Sequence, residues 1–189
     1  MGFVKFIRGS RIGSVEFPVL AKPWRDPGRY REARMREAEI ECRLALEFLS
    51  EGLVRNAAGK AFQCWKAYLA ALAVEGRDML KAKFPGVARL RRGEAVEEVE
   101  DVDVVIAVMP TTRMAEVAAL LSRRFGEEVL KNTFLALELH RYQYNGPDPE
   151  AVISNVPDDS TAARLICVLT GDLAARSEDL KKIHAGVCK

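Results

Sequence analysis

The stretch from Arg55 to Leu72, RNAAGKAFQCWKAYLAAL, constrains the fold more than any other part of the chain. Its apolar residues recur at spacings of three and four and form two stripes along a predicted helix. The first stripe is Leu53, Ala57, Ala61, Cys64 and Tyr68, and the second is Ala58, Phe62, Trp65, Leu69 and Leu72. A helix that is apolar on two sides is packed by neighbours on both. The pattern therefore predicts the central helix of a bundle.

Helix start and stop signals predict further helices on either side of this segment. We expect Asp26 to cap a first helix with Pro27 at its first position, where the missing N–H of proline costs nothing. Glu51-Gly52 is expected to end that helix before the central one begins. Nearer the C-terminus, residues 158–183 carry apolar side chains at helical spacing and predict one last helix.

The middle of the chain gives mixed signals. Residues 83–93, KFPGVARLRRG, are expected to form a connector. Residues 96–109 fit a helix by their apolar spacing and a strand by their content of Val and Ile; we favour a helix because no partner strand is evident nearby. Two further helices are expected, the first capped by Thr111 or Thr112 and the second ended by the Asn-Gly-Pro turn at 145–147.

These elements predict an all-α protein. A chain of 189 residues is long enough for one well-buried domain, which we place at residues 21–185 as a bundle of four to five main helices. Residues 1–20 are expected to form a short extended or hairpin N-terminal arm, because apolar residues alternate there at Val15, Phe17 and Val19.

Charge and hydropathy exclude several classes of protein. The net charge of +2 gives no global electrostatic case for nucleic acid, which a strongly basic domain would have. The longest apolar run, residues 104–110, is too short for a bilayer, which needs roughly 20 residues. The N-terminal segment lacks the continuous apolar stretch of a signal peptide. We therefore expect a cytoplasmic protein with no membrane segment.

The cysteine and amide residues indicate the environment in which the source organism lives more than they indicate a binding site. The four cysteines form no CxxC motif and no Cys/His cluster, so neither a metal site nor a cofactor is predicted. The chain has two Gln and four Asn against abundant Glu and Arg, a bias seen in proteins from hot environments. Because such organisms carry intracellular disulfides, a bridge between Cys42 and Cys64 on consecutive helices is one interpretation. The interpretation that we favour is that both cysteines are small residues of the core.

The first candidate site is a polar column on the central helix. Asn56, Lys60 and Gln63 are spaced at i, i+4 and i+7, so they lie along one face. Lys60 could bind a phosphate as a point charge, with Arg55 one turn away. The alternative is a solvent-facing stripe. A polar column buried without partners would cost several kcal/mol, so it must meet water, a ligand or other polar groups.

The second candidate site is the segment LHRYQYNG at the end of a predicted helix. His140, beside Arg141, could act as an acid or base on a phosphodiester. Tyr144 could stack on a nucleobase. The alternative is a helix end whose aromatic residues complete the core.

Motifs of common enzyme classes are missing from the sequence. There is no GxGxxG, no GxxxxGK[ST] phosphate loop, no HExxH and no GxSxG. RNAAGK places a Gly before a Lys inside a helix, where it cannot fold into a phosphate loop. Nucleotide hydrolysis of the phosphate-loop kind is therefore unsupported.

Three stretches carry a resemblance to a known family: KPWRDPGRYREARMREAEIECRLALEFLSEGLVRNAAGKAFQCWKAYLAALA, MPTTRMAEVAALL and LELHRYQYNG. With RNAAGKAFQCWKA as its most specific motif, the chain resembles the archaeal PaREP family of crenarchaeal proteins over about residues 21–184. That family is similar to the HEPN superfamily of small helical bundles, which often dimerise. The resemblance implies a HEPN-like bundle and a homodimer.

The resemblance also bears on activity. HEPN proteins that cleave RNA carry an Arg a few residues before a His near a helix end. Here Phe134, Leu135 and Ala136 precede His140, so the ribonuclease motif is missing. Many HEPN-like domains instead bind nucleotides or partner proteins.

Three hypotheses of function follow. The favoured one is a non-catalytic module that binds a nucleotide or RNA through the polar column and the His140 segment. The alternative is a dimeric protein-interaction module, antitoxin-like or scaffolding, without a small-molecule site. The third is an atypical ribonuclease that uses His140.

Overall fold

A computed structural model describes residues 20–93 and 95–189. The elements are α1 (Pro27–Ser50), α2 (Val54–Glu75), α3 (Arg77–Lys81), β1 (Val87–Arg92), β2 (Ala95–Glu100), α4 (Asp101–Val108), a 3₁₀ turn (Thr111–Arg113), α5 (Met114–Phe125), α6 (Glu128–Asn145), α7 (Asp159–Ala174) and α8 (Glu178–Val187). Helices dominate this part of the chain, which confirms the predicted all-α bundle. The expected arm over residues 1–20 lies, except for Leu20, outside the described residues.

Helix α2 is the central helix of the bundle, as predicted, and α1 packs along it. The side chain of Asp26 accepts a hydrogen bond of 2.9 Å from the backbone N–H of Arg29, and Pro27 begins α1. Between the two helices Gly52 adopts φ +74°, a conformation that glycine takes without strain. Helices α1, α5, α6 and α7 all pack against α2. Both predicted stripes are buried except at Leu53, which precedes the helix and is exposed.

A two-stranded antiparallel sheet follows α3, and here the sequence interpretation was wrong. Strand β1 occupies most of the expected connector, β2 takes the first half of the expected helix at 96–109, and α4 takes the second half. Residue Val87 pairs with Glu100, and Arg89 pairs with Glu98 through a salt bridge of 3.1 Å. The charged residues of β1 made this segment resemble a connector. A strand is stabilised by its cross-strand neighbours more than by an apolar composition, so composition alone did not reveal it.

Charged side chains join this sheet and α4 to α3. Nε and Nη2 of Arg77 each donate to one oxygen of the Asp103 carboxylate at 2.7 Å, and Nη2 also donates to Glu100 at 2.9 Å. Asp103 is buried, with 3% of its surface exposed. A bidentate guanidinium satisfies both of its oxygens, which a buried carboxylate requires.

The region from α4 to α5 departs from prediction at its start. The threonines at 111 and 112 lie in the 3₁₀ turn, and among the described residues no side-chain capping bond begins α5 at Met114. Gly126, with φ +95°, follows the last residue of α5.

No single helix in the described chain is long and apolar enough to cross a membrane. Two segments reach the required length and hydropathy only when they are taken together, Asp101–Val108 and Thr111–Phe125, and this pair is bent by 113°.

The expected last helix is two helices, and a disulfide joins them. Cys167 in α7 bonds to Cys188, just after α8, with their Cα atoms 5.5 Å apart. His184 of α8 also contacts the Cys167 carbonyl oxygen through Nε2 at 2.8 Å. The Cys42–Cys64 bridge was the wrong pairing: within residues 20–93 and 95–189 both are buried free thiols, so the favoured interpretation as small core residues is confirmed.

Candidate functional site

An open cleft of about 530 Å³ lies along α2, between α1 and the end of α6. Its described lining residues are Phe48, Arg55, Asn56, Gly59, Lys60, Gln63 and Gln143. The structure thus brings together the whole predicted column and Arg55. The volume falls within the range of about 300–1,000 Å³ typical of small-molecule sites.

Lys60 is only partly available to a ligand. Its Nζ lies 2.9 Å from Oε2 of Glu41 on α1 and donates a hydrogen bond of 3.3 Å to Oε1. Glu41 is 8% exposed, so its carboxylate needs this cation close by. The Lys60 side chain keeps 33% of its surface exposed and lines the cleft. An ammonium has three N–H donors, so Lys60 can hold Glu41 and still reach a ligand.

Arg55 has a structural role that the sequence did not predict. Its Nε and Nη2 donate to the carbonyl oxygen of Gln143 at 3.1 and 3.0 Å, and Nη2 donates to that of Tyr144 at 2.6 Å. These carbonyls belong to the last turn of α6, where a cation also offsets the negative end of the helix dipole. The Nη1 group of Arg55 donates to none of the described residues and remains for a ligand.

Three described lining residues were not predicted as site residues, Phe48, Gly59 and Gln143, and of these only Gln143 has a polar side chain. A β-carbon at Gly59 would lie 2.6 Å from Oε1 of Gln143 and 2.7 Å from its Cδ, so only glycine leaves room for this side chain on α2. Glycine in a helix costs about 1 kcal/mol relative to alanine, and the close packing of the Gln143 side chain on α2 offsets that cost here. One signal was present in the sequence: Gln143 lies inside LHRYQYNG and is one of the two Gln in the chain.

The cleft contains three side-chain amides, on Asn56, Gln63 and Gln143. Across the described ranges their side-chain N–H and C=O groups make no hydrogen bond to another residue. Each amide carries an N–H donor beside a C=O acceptor. It can therefore form two hydrogen bonds with a ligand edge that also has a donor beside an acceptor. The cleft therefore gathers three amides from α2 and α6, and those of Asn56 and Gln63 are exposed where a ligand can reach them.

His140 lies beside the cleft and does not line it. Its ring stacks on Phe62 with centroids 4.1 Å apart, and Tyr144 meets it edge-on at 5.2 Å. The Nδ1 atom is buried and, among the described residues, has no hydrogen-bond partner. Burial, and after it the charge of Lys66, lowers the pKa of His140. The imidazole is thus neutral at neutral pH and packs α6 on α2.

The remaining predicted site residues face solvent. Arg141 pairs with Glu138 on α6 at 2.7 Å, an exposed contact that contributes up to about 1 kcal/mol. The Tyr144 ring is exposed and touches His140. From the whole LHRYQYNG segment, the described cleft thus takes only Gln143. No group of three or more His, Cys, Asp and Glu residues in the described chain is placed to hold a metal ion.

The fold and the cleft define an all-α protein with an open polar site on its central helix. The model of the Archaeal PaREP1/PaREP8 family matches residues 33–167, and the chain belongs to that family. The matched range contains every described residue that lines the cleft. No curated protein and no solved structure matches the chain.

Proposed function

We propose that the cleft binds a nucleotide, free or as a unit of RNA, without catalysing a reaction on it. The observation that carries this proposal is the convergence of three amides, unbonded within the described chain, and two cations on one cleft. Side-chain amides pair with the edges of nucleobases, and Lys and Arg bind phosphate oxygens. One nucleotide combines both groups in a single ligand.

The electrostatic balance of the cleft fits a single phosphate group. Arg55 and Lys60 bring two positive charges, and Glu41 offsets one of them. A bound phosphate would meet the remaining donors, Nη1 of Arg55 and Nζ of Lys60, at an open surface. Binding is therefore expected to weaken as salt rises.

The lining chemistry supports binding without catalysis. The described lining residues include no His, Cys, Ser, Asp or Glu, and the one lysine among them, Lys60, is paired with Glu41. His140, the weak catalytic candidate, is stacked on Phe62 with its Nδ1 buried.

Isothermal titration calorimetry with the four nucleoside monophosphates and a short single-stranded RNA tests the proposal. Lys60→Met alone would leave Glu41 buried without its cation, so the variant is made together with Glu41→Gln. The matched control is Glu128→Gln with Lys131→Met, an exposed pair on α6. We expect the first double variant to bind about tenfold more weakly or worse, and the control to bind like the wild type. Binding by no nucleotide or RNA, or equal binding by both double variants, would contradict the proposal.

A second candidate function is that of a dimeric protein-interaction module. Exposed apolar side chains support it. Val152 and Ile153, after α6, are 75% and 65% exposed, and Phe134 on α6 is also exposed. Contiguous exposed apolar side chains mark interaction surfaces, and Val152 and Ile153 are neighbours in the chain. Sedimentation velocity of the wild type and of Val152→Ser with Ile153→Ser tests this: a dimer that the variant dissociates supports it, and a wild-type monomer at all concentrations refutes it.

A further inference from the structure

We infer that the base bound in this cleft is adenine, held between Gln63 of α2 and Gln143 of α6. The inference rests on the proposed nucleotide-binding function and adds the identity of the base. It begins from the placement of the rare glutamines: the chain contains two Gln, and both line the same cleft.

The two glutamines stand close together on different helices. The Gln143 amide rests against Gly59, and Gln63 follows Gly59 by four residues on the same helix. Four residues advance an α-helix by about 6 Å, roughly one turn. The amide of Gln143 is held by packing on α2, whereas Gln63 is exposed and its side chain can rotate towards a ligand. A flat group in the cleft thus meets one amide from each helix.

Adenine is the base whose edges fit two such amides. Its N6 amino group carries two hydrogens, one beside the acceptor N7 and the other beside the acceptor N1. Each of these edges presents a donor next to an acceptor, which is the complement of a glutamine amide. One adenine can therefore satisfy Gln63 and Gln143 at the same time, with each amide making two hydrogen bonds.

The other bases fit the two amides less well. Guanine presents two acceptors, N7 and O6, at the edge where adenine has N7 and N6. It can meet two amides only through its O6/N1 and N2/N3 edges, and the second of these lies beside the ribose, whereas both edges of adenine lie away from it. Cytosine has one amino group beside one ring acceptor and so can pair with one amide only. Uracil has a single ring N–H to share between two amides. Unsatisfied polar groups in a binding site reduce affinity.

The rest of the cleft is then left for the sugar and phosphate. Asn56 and Lys60 lie nearer the start of α2 than Gln63, and Arg55 lies beside them. With the base at the two glutamines, the phosphate reaches the cations that the proposed function assigns to it.

Competition between base analogues tests the inference on the wild-type chain. Calorimetric titrations would compare AMP with GMP, CMP, UMP, 7-deaza-AMP and N6,N6-dimethyl-AMP. We expect AMP to bind most tightly, 7-deaza-AMP about tenfold more weakly, and GMP and the dimethyl analogue weaker by at least that factor. If AMP and GMP bind within about twofold of each other, the inference is wrong while the proposed function stands. If no nucleotide binds, both are wrong.

Two variants then assign the selectivity to residues. Gln63→Met and Gln143→Met keep an unbranched side chain of similar length and remove the amide. Gln63 is exposed, so its variant is not expected to disturb folding. Each substitution should reduce the preference for AMP over GMP by about tenfold while phosphate-dependent binding persists. An unchanged preference in both variants would overturn the assignment.

Discussion

The side chain of Gln143 occupies the space that a β-carbon at Gly59 would take, with its Oε1 2.6 Å from that position. The two residues lie on different helices and far apart in sequence. This contact both explains a glycine inside the central helix and places an amide in the cleft. We therefore expect a substitution at Gly59 to affect stability and binding differently.

Gly59→Ala is expected to weaken ligand binding without weakening the fold. Alanine is favoured over glycine in a helix interior by about 1 kcal/mol. The new methyl group would displace the Gln143 amide, which is the far end of a flexible side chain, from the cleft. Urea denaturation should show a free energy of unfolding that is unchanged or up to about 1 kcal/mol higher. AMP binding should fall by about tenfold.

Gly186→Ala is the matched control for that substitution. Gly186 is also helical, in α8, and a β-carbon there would meet nothing within 4 Å among the described residues. Because Gly186 is next to last in α8, this substitution should raise stability by at most about 1 kcal/mol, with no change in binding. A Gly59→Ala protein that binds AMP like the wild type would show that the position of Gln143 does not matter.

Local signals in the sequence predicted the helices well, and contacts distant in sequence account for most of what they missed. Asp26, Pro27 and the turn at Glu51-Gly52 act over a few residues, so their effects could be read directly. The β-hairpin was missed because charged residues concealed its strands. Gln143 was missed because its importance depends on Gly59, which only the tertiary packing of α6 on α2 brings near.

The disulfide is expected to stabilise the C-terminal helix. Cys167 and Cys188 are 21 residues apart, and closing a loop of that size stabilises a fold by roughly 3 kcal/mol. Reduction, or Cys167→Ser with Cys188→Ser, should lower the free energy of unfolding by about that amount and speed hydrogen exchange in α8. Thiol titration of the denatured, unreduced chain should find the two thiols of Cys42 and Cys64. Four titratable thiols, or a reductant effect that persists in the serine variant, would contradict this pairing.

The buried ion pair of Arg77 and Asp103 is expected to matter far more than the exposed pair of Arg89 and Glu98. Arg77→Met leaves the Asp103 carboxylate buried without its cation, which costs about 3–5 kcal/mol. Arg89→Met removes an exposed partner and should cost at most about 1 kcal/mol. Chemical denaturation of the two variants measures the difference. Equal losses would mean that Asp103 is solvated in solution.

The stability of the protein should contain a pH-dependent contribution from His140. Burial lowers its pKa below the ordinary value of 6.5, so the unfolded chain takes up this proton at a higher pH than the folded chain. The free energy of unfolding should therefore fall as the pH drops below 6.5, until the folded-state pKa is passed. His140→Phe keeps a ring on Phe62 and removes this contribution. Denaturation between pH 7 and pH 5 should show the wild type losing more stability than the variant; parallel profiles would refute the shift.

Nuclear magnetic resonance of the glutamine side chains tests the central claim most directly, because both Gln of the chain line the cleft. Selective ¹⁵N labelling of glutamine side chains gives one pair of NH₂ signals for Gln63 and one for Gln143, which titration with AMP would follow. We expect both pairs to shift together and saturate, and Lys60→Met with Glu41→Gln to weaken the effect. If AMP leaves both pairs unmoved at saturating concentration, the cleft does not bind the nucleotide through its amides and the account is wrong.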